Sequence, residues 1–127
     1  MSTNWQKDIL EFHVACSHYT ANSPSIPPLP ISKLRYSLIR EEMEETLQAL
    51  FEDDLIGIAD GIADSIVVLL GTAVSYGIDI QPVWDEVHKT NMAKLGGGKR
   101  GDGKSLKPEG WQPPDIKSIL ISQGAEL

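Results

Sequence analysis

Nine carboxylates and no Lys or Arg stand between residues 41 and 64: Glu41, Glu42, Glu44, Glu45, Glu52, Asp53, Asp54, Asp60 and Asp64. Four of them crowd the run EEMEE at 41–45. Two more, Asp60 and Asp64, lie four apart in a segment whose other residues are almost all apolar or small. Acids three and four apart share a helix face and repel by roughly 0.2–0.5 kcal/mol per pair. A solvated charged face tolerates that; a face turned inward needs a cation. The apolar stripe through Leu34 and Leu38 runs on to Glu41 or Glu42 and then Glu45, so it turns acidic halfway along. Asp60 is accounted for in a first helical turn, where an acid complements the dipole. Asp64, with SIVVLL after it, is not, and a charge buried there must be paired or metal-bound. Oxygen-only donors suit Mg²⁺, with Mn²⁺ as substitute, rather than zinc, and Mg²⁺ is usually shared with substrate phosphates.

A cationic counterpart follows in the chain. Residues 88–107 hold Lys89, Lys94, Lys99, Arg100, Lys104 and Lys107 against Asp102 alone. Within this stretch Gly98 to Ser105 satisfies GxxxxGK[ST], the pattern of a phosphate-wrapping loop. That motif requires a buried strand before it and a helix starting at its Lys and Ser. EVHKTNMAKL upstream has helical periodicity, and LKPEGWQPP downstream holds three prolines, so neither context is met. The stretch reads instead as a basic flap over a site made elsewhere.

The elements that must position these groups are helices. Trp5, Ile9, Phe12, Cys16 and Tyr19 form the expected inward stripe of a first helix, with Thr3 and Gln6 as a capping box. NSPSIPPLP at 22–30 is a connector. A second helix is expected from about Ser32 to Phe51 and a third, apolar nearly all round, from about Ile56 to Tyr76, stopped by Gly77. A fourth follows Asp79, with Pro82 in its first turn, and runs through Leu95 to end at Gly96. The tail from Gly96 to Leu127 should be extended, with one short helix near Ile116. No strand is predicted, so the fold class is all-α: four main helices in one domain, helical over 1–95 with a tail over 96–127, and completed by oligomerisation as a dimer or dimer of dimers because the third helix has more face to bury than one layer covers.

Composition limits the function classes. The chain has 127 residues, 41% hydrophobic and 23% charged, with a net charge of −7. That balance argues against a nucleic-acid polymer as partner. No run approaches the ~18–20 apolar residues of a membrane span, and the N-terminus lacks a secretory core, so a soluble cytoplasmic protein is expected. Cys16 is the only cysteine, and it belongs to the apolar stripe without a surrounding nucleophile constellation.

EEMEE at 41–45, ADGIADSIVVLLGTAVSYGID at 59–79, VWDEVHKTNMAKL at 83–95 and GKSLKPEGWQPPDI at 103–116 together resemble the MazG-like all-α nucleoside triphosphate pyrophosphohydrolases. The branch most similar is the phosphoribosyl-ATP pyrophosphohydrolase-like one, near the dimeric dUTPases. The resemblance implies Mg²⁺-dependent hydrolysis of a free nucleoside triphosphate to the monophosphate and pyrophosphate, with Glu42, Glu45 and Asp64 as metal ligands. Glu41 would be a ligand or the base that orients water. Family members often carry ExxD on the third helix, whereas this chain has Gly61 three before Asp64. Either Asp60 reaches the metal instead or the site holds fewer ions. The resemblance further implies Asn91 and Lys94 as phosphate contacts, often in a neighbouring subunit's site. Lys104 joins them as a flap charge. Phe12 and His13, the latter off the main stripe, are candidates for contacting the base. The alternatives are phosphoribosyl-ATP as substrate, or a non-catalytic helical module binding metal or nucleotide.

Overall fold

The computed structural model describes residues 3–127. It contains five helices: α1 (Asn4–Ala15), α2 (Leu29–Phe51), α3 (Leu55–Tyr76), α4 (Ile80–Met92) and α5 (Ile116–Ser122). Among the described residues the one piece of β pairing is an isolated bridge between Lys99 and Ser105. The all-α reading therefore holds. Boundaries differ from expectation at two places. α2 begins at Leu29, because Pro30 falls in its first turn where a missing N–H costs no helical bond. α4 closes at Met92, three residues before Leu95.

α2 and α3 form an antiparallel hairpin across Glu52–Asp54. Asp53 takes a left-handed φ of 53° and the Asp54 carboxylate accepts from Gly57 N at 3.1 Å, capping α3. The two helices approach closely because α3 turns small residues toward α2. A Cβ at Gly57 would meet the Ala49 Cβ at 3.2 Å, and one at Gly61 would sit 2.5 Å from Thr46 Oγ1. Ser65 follows one turn on, its hydroxyl 3.1 Å from that of Thr46. α3 ends at Gly77, whose φ of 71° and contact with the Ser23 carbonyl both exclude a side chain.

α1 lies against α3, yet not with the expected stripe. Trp5, Phe12 and Cys16 are exposed, and the inward residues are Gln6 and His13. Specific polar partners decide this. Gln6 donates from Nε2 to Ile78 O (2.6 Å) and accepts at Oε1 from Ile80 N (2.9 Å), so its amide pairs with the α3–α4 turn as a strand would. Gln123 grips the same turn, accepting from Asp79 N and donating to Asp79 O, each at 2.9 Å. Two glutamines thus fix where α4 starts.

Buried apolar residues are few: Ala49, Val68, Ala73 and Val74. Large apolar side chains face outward instead, including Leu47, Leu50 and Phe51 on α2 and Ile62, Val67 and Leu69 on α3. α3 also departs from the expectation about membrane spans. Its 22 residues have a mean hydropathy of 1.8 in the most apolar window, enough by length and composition to cross a bilayer. In this chain it carries Asp60 and Asp64 and packs on α1 and α2.

The tail is more ordered than an extended strap. Arg100 N donates to Lys104 O (2.7 Å), and Leu106 N to Gly98 O (2.9 Å), making a small hairpin of the GKRGDGKS segment. Its turn is held by Asp102, which pairs with Arg100 and accepts from Lys104 N at 3.1 Å. No strand leads into this segment and no helix begins at Lys104 or Ser105, so the phosphate-loop geometry is absent. Trp111 then pins the tail to α4, donating from Nε1 to Thr90 O at 2.7 Å.

Candidate functional site

The carboxylates sort themselves by which face of α2 they occupy. Glu44 points out and pairs with Arg40 at 2.8 Å. Glu42 points toward α3, half-buried, above Thr46, whose hydroxyl donates back to Glu42 O at 2.7 Å. Its Oε2 is fully buried with no hydrogen-bond partner. Burial raises the pKa of this carboxyl above its ordinary value, and the charges of Glu45, Asp64, Glu41 and Asp60 raise it further. Five acids from two helices are therefore within electrostatic reach of one another around Glu42. Asp64 is half-buried; Glu41, Glu45 and Asp60 are exposed.

Gly61 stands three residues before Asp64, where the resemblance would lead one to expect an acid, and the structure shows why a side chain is not accommodated. Its hypothetical Cβ would lie 3.1 Å from the Thr46 Cα, so the obstacle includes backbone and not only a movable hydroxyl. Among the described residues no three His, Cys, Asp or Glu converge on one point closely enough to hold a metal ion by themselves. The donor chemistry nevertheless fits a hard divalent cation: an orphaned buried carboxylate oxygen, mutual repulsion on every side, and oxygen donors alone.

Among the described residues no ion pair joins the candidate phosphate contacts to these acids within the single chain. Lys94 Nζ donates to Asn91 Oδ1 at 3.1 Å and lies 5.2 Å from the centre of the Trp111 ring, whose surroundings Lys107 shares at 5.0 Å. Lys104 sits on the exposed tail hairpin. α4 packs against α5. The base candidates separate as well. Phe12 is 51% exposed with its ring edge-on to His18, whereas His13 is only 3% exposed and its Nδ1 is 3.2 Å from Tyr19 O. Burial lowers the His13 pKa, a backbone hydrogen bond to Tyr19 opposes that, and Arg35 and His18 add to the lowering.

A model of the phosphoribosyl-ATP pyrophosphohydrolase family matches residues 9–91. The chain belongs to this family. The match spans most of α1 through α4 up to Asn91, and so includes every acid around Glu42 while leaving Lys94 and the tail outside. This member of the MazG-like all-α superfamily is accordingly a hydrolase of phosphoanhydride bonds, a nucleotide pyrophosphohydrolase, with the all-helical fold of that class. Among curated proteins none matches the chain significantly.

Sequence reasoning did not find Thr46, Ser65, Gln123 or Arg35, and it placed Gln6 in a capping box with Thr3, of which the structure keeps the Thr3 half, Gln6 N donating to Thr3 Oγ1 at 2.9 Å, while the Gln6 amide turns to Ile78 and Ile80. For Arg35 a signal existed: it lies seven residues before Glu42, two turns along the same face of α2.

Proposed function

We propose that the protein cleaves a free nucleoside or deoxynucleoside triphosphate to the monophosphate and pyrophosphate, with Mg²⁺ held by Glu42, Glu45 and Asp64. The observation that carries this reading is the buried, unpartnered Glu42 Oε2 at the centre of four other acids. Such a cluster is costly without a cation and can bind one shared with substrate. When bound, a divalent ion neutralises phosphate charge and acidifies a coordinated water. Glu41, exposed on the adjacent helix position, would accept the proton of the attacking water. Asp60 would supplement the ligands, since position 61 is a glycine. Thr46 and Ser65, bonded to each other under Glu42, fix the backbone from which that carboxylate projects.

Asn91, Lys94 and Lys104 would meet the phosphates of a neighbouring subunit's substrate in a homodimer or dimer of dimers. The outward apolar surface of α2 and α3, including Leu47 and Ile62, supports that assembly, because monomers rarely leave so much apolar surface open. Phe12, rather than the buried His13, is the exposed aromatic available to a base. A cytoplasmic setting, away from membranes and nucleic-acid polymers, accords with nucleotide-pool housekeeping. The family description favours a second reading, in which phosphoribosyl-ATP is the substrate.

The purified protein with Mg²⁺ or Mn²⁺ should release pyrophosphate from at least one member of a panel of canonical and modified triphosphates that also includes phosphoribosyl-ATP. Turnover of phosphoribosyl-ATP alone would decide for the second reading. No pyrophosphate from any member with either metal overturns both.

A further inference from the structure

Arg35 is 6% exposed, a buried cation in a chain of net charge −7, yet among the described residues no carboxylate pairs with it. Its hydrogen bonds go to neutral oxygens: Nε donates to Thr72 Oγ1 at 3.2 Å and Nη2 to Val68 O at 2.8 Å. Of the five N–H groups of a guanidinium, three are left without a protein acceptor. Burial lowers its pKa and no neighbouring acid offsets that. The place is built for it, since a Cβ at Gly71 would overlap Nη2 and lie 3.0 Å from His13 Nε2. Three helices thus cradle a charge that lacks its counterion.

The guanidinium lines an open groove of about 640 Å³ shared with Ser32, Lys33, Ser37, Thr72 and Tyr76. Tyr76 donates to Ser32 Oγ at 3.1 Å, so the rim hydroxyls are held in place. None of the Arg35 nitrogens is a buried atom without a partner, so its remaining N–H groups open on this groove, and a planar fork beside a lysine and hydroxyls matches a tetrahedral oxyanion. We propose that the Arg35 groove is an anion site that takes a phosphate group, about 10 Å along α2 from the Glu42 cluster, at the ~1.5 Å rise per helical residue. Two sources share that chemistry: a second phosphate carried by the substrate at a distance from its triphosphate, or inorganic phosphate free in solution. The first rests on the pyrophosphohydrolase reading; the second does not.

The test is binding to the metal-free protein, followed through the side-chain ¹⁵Nε resonance of Arg35. Inorganic phosphate should move it saturably, beyond any effect of chloride at matched ionic strength. Filling the groove by Ser37→Trp, at an exposed position, should weaken that response at least tenfold, while Glu45→Gln leaves it unchanged. No phosphate-specific movement, or an unaltered response in Ser37→Trp, overturns the proposal. Kinetics separate the sources. Inhibition by phosphate that raises KM for phosphoribosyl-ATP and spares ordinary triphosphates assigns the groove to a substrate phosphate. Saturable binding with no such selectivity assigns it to free phosphate. Because the resonance is read without turnover, an inactive enzyme leaves the binding result intact.

Discussion

Replacing Glu42 by Gln removes the central charge of the acidic cluster while keeping its shape, and the structure gives the expected size of the effect. Without metal, Glu42 faces Glu45 three residues on and Asp64 and Asp60 across the helix pair. Each like-charge contact at helical spacing costs roughly 0.2–0.5 kcal/mol. Since most of these partners are exposed, solvent screens them and the low end applies, so relief from the three amounts to about 0.6 kcal/mol. For a chain of this length that is a melting-temperature gain of ~2–3 °C, at a sensitivity between those of smaller and larger domains. The pH dependence has a definite sign. A carboxyl whose folded pKa is raised binds its proton more tightly when folded, so its contribution favours folding below the ordinary Glu value, ~4.3. That contribution is lost as pH rises through the raised folded value. The metal-free wild type should therefore lose stability over this window and Glu42→Gln should lose less. With Mg²⁺ the order reverses, because a ligand at a hundred times its Kd adds about 2.7 kcal/mol to the protein that binds it. Thermal melts by circular dichroism, with chelator and with Mg²⁺, across the acid range, measure all three quantities. A metal-free Glu42→Gln that melts lower than wild type near neutral pH, or that keeps the full Mg²⁺ shift, refutes the idea that Glu42 is the frustrated centre of a cation site.

Gly61→Ala should destabilise by up to about 2 kcal/mol, since overpacking at Thr46 costs ~1–3 kcal/mol against a helix-propensity gain of ~1 kcal/mol; a higher melting temperature would show that the α2–α3 crossing is looser than described. Trp111→Ala removes a hydrogen bond worth ~1 kcal/mol and two exposed cation–π contacts of ~0.5–1 kcal/mol each. Hydrogen exchange should then accelerate at residues 98–106 and leave α2 and α3 protected, and unchanged exchange in the hairpin would count against Trp111 as the clasp. Leu47 is 63% exposed in the single chain, so Leu47→Glu should alter monomer stability by no more than ~0.5 kcal/mol. In sedimentation velocity it should nevertheless shift the protein to monomer, and a wild type that sediments as a monomer would remove the proposed assembly.

Helix existence and order were legible because propensity, capping and punctuation agreed: Asp54, Gly77, Asp79 and Asp115 sit at the ends their chemistry favours. The face of α2 that turns acidic was legible as far as Glu41 or Glu42, of which Glu42 is the half-buried one, but not to Glu45, which the structure leaves exposed. What could not be read was any orientation set by a distant polar partner. Gln6 and His13 displaced Trp5 and Phe12 from the inner face of α1 because Ile78, Ile80 and Tyr19 supply backbone partners for them. Periodicity counts apolar residues and is blind to a glutamine that pairs with a turn more than seventy residues away. The tail hairpin was missed for a different reason. Five glycines between Gly97 and Pro114 suggested an extended strap, whereas the Asp102–Gly103 pair, with Gly103 at a φ of 89°, is a turn signal that outweighs composition.

The same inversion bears on the acidic cluster. The side chains most deeply buried in one copy are largely polar, Gln6, His13, Arg35, Ser65, Ser75 and Thr90, and each is held by hydrogen bonds rather than by apolar contact. Polar burial of this kind fixes geometry but contributes little net stability, about 1 kcal/mol per bond. More stabilisation is open to the chain in the apolar faces of α2 and α3, which flank the acids on both sides, from Met43 and Leu47 to Ile62 and Val67. Covering those faces in the proposed assembly would also remove water from the rim of the cluster, strengthening every charge interaction within it. Glu42 would then be pushed further toward needing a cation, and the cations of α4 and the tail, which find no acid of the cluster in their own chain, would have one to face.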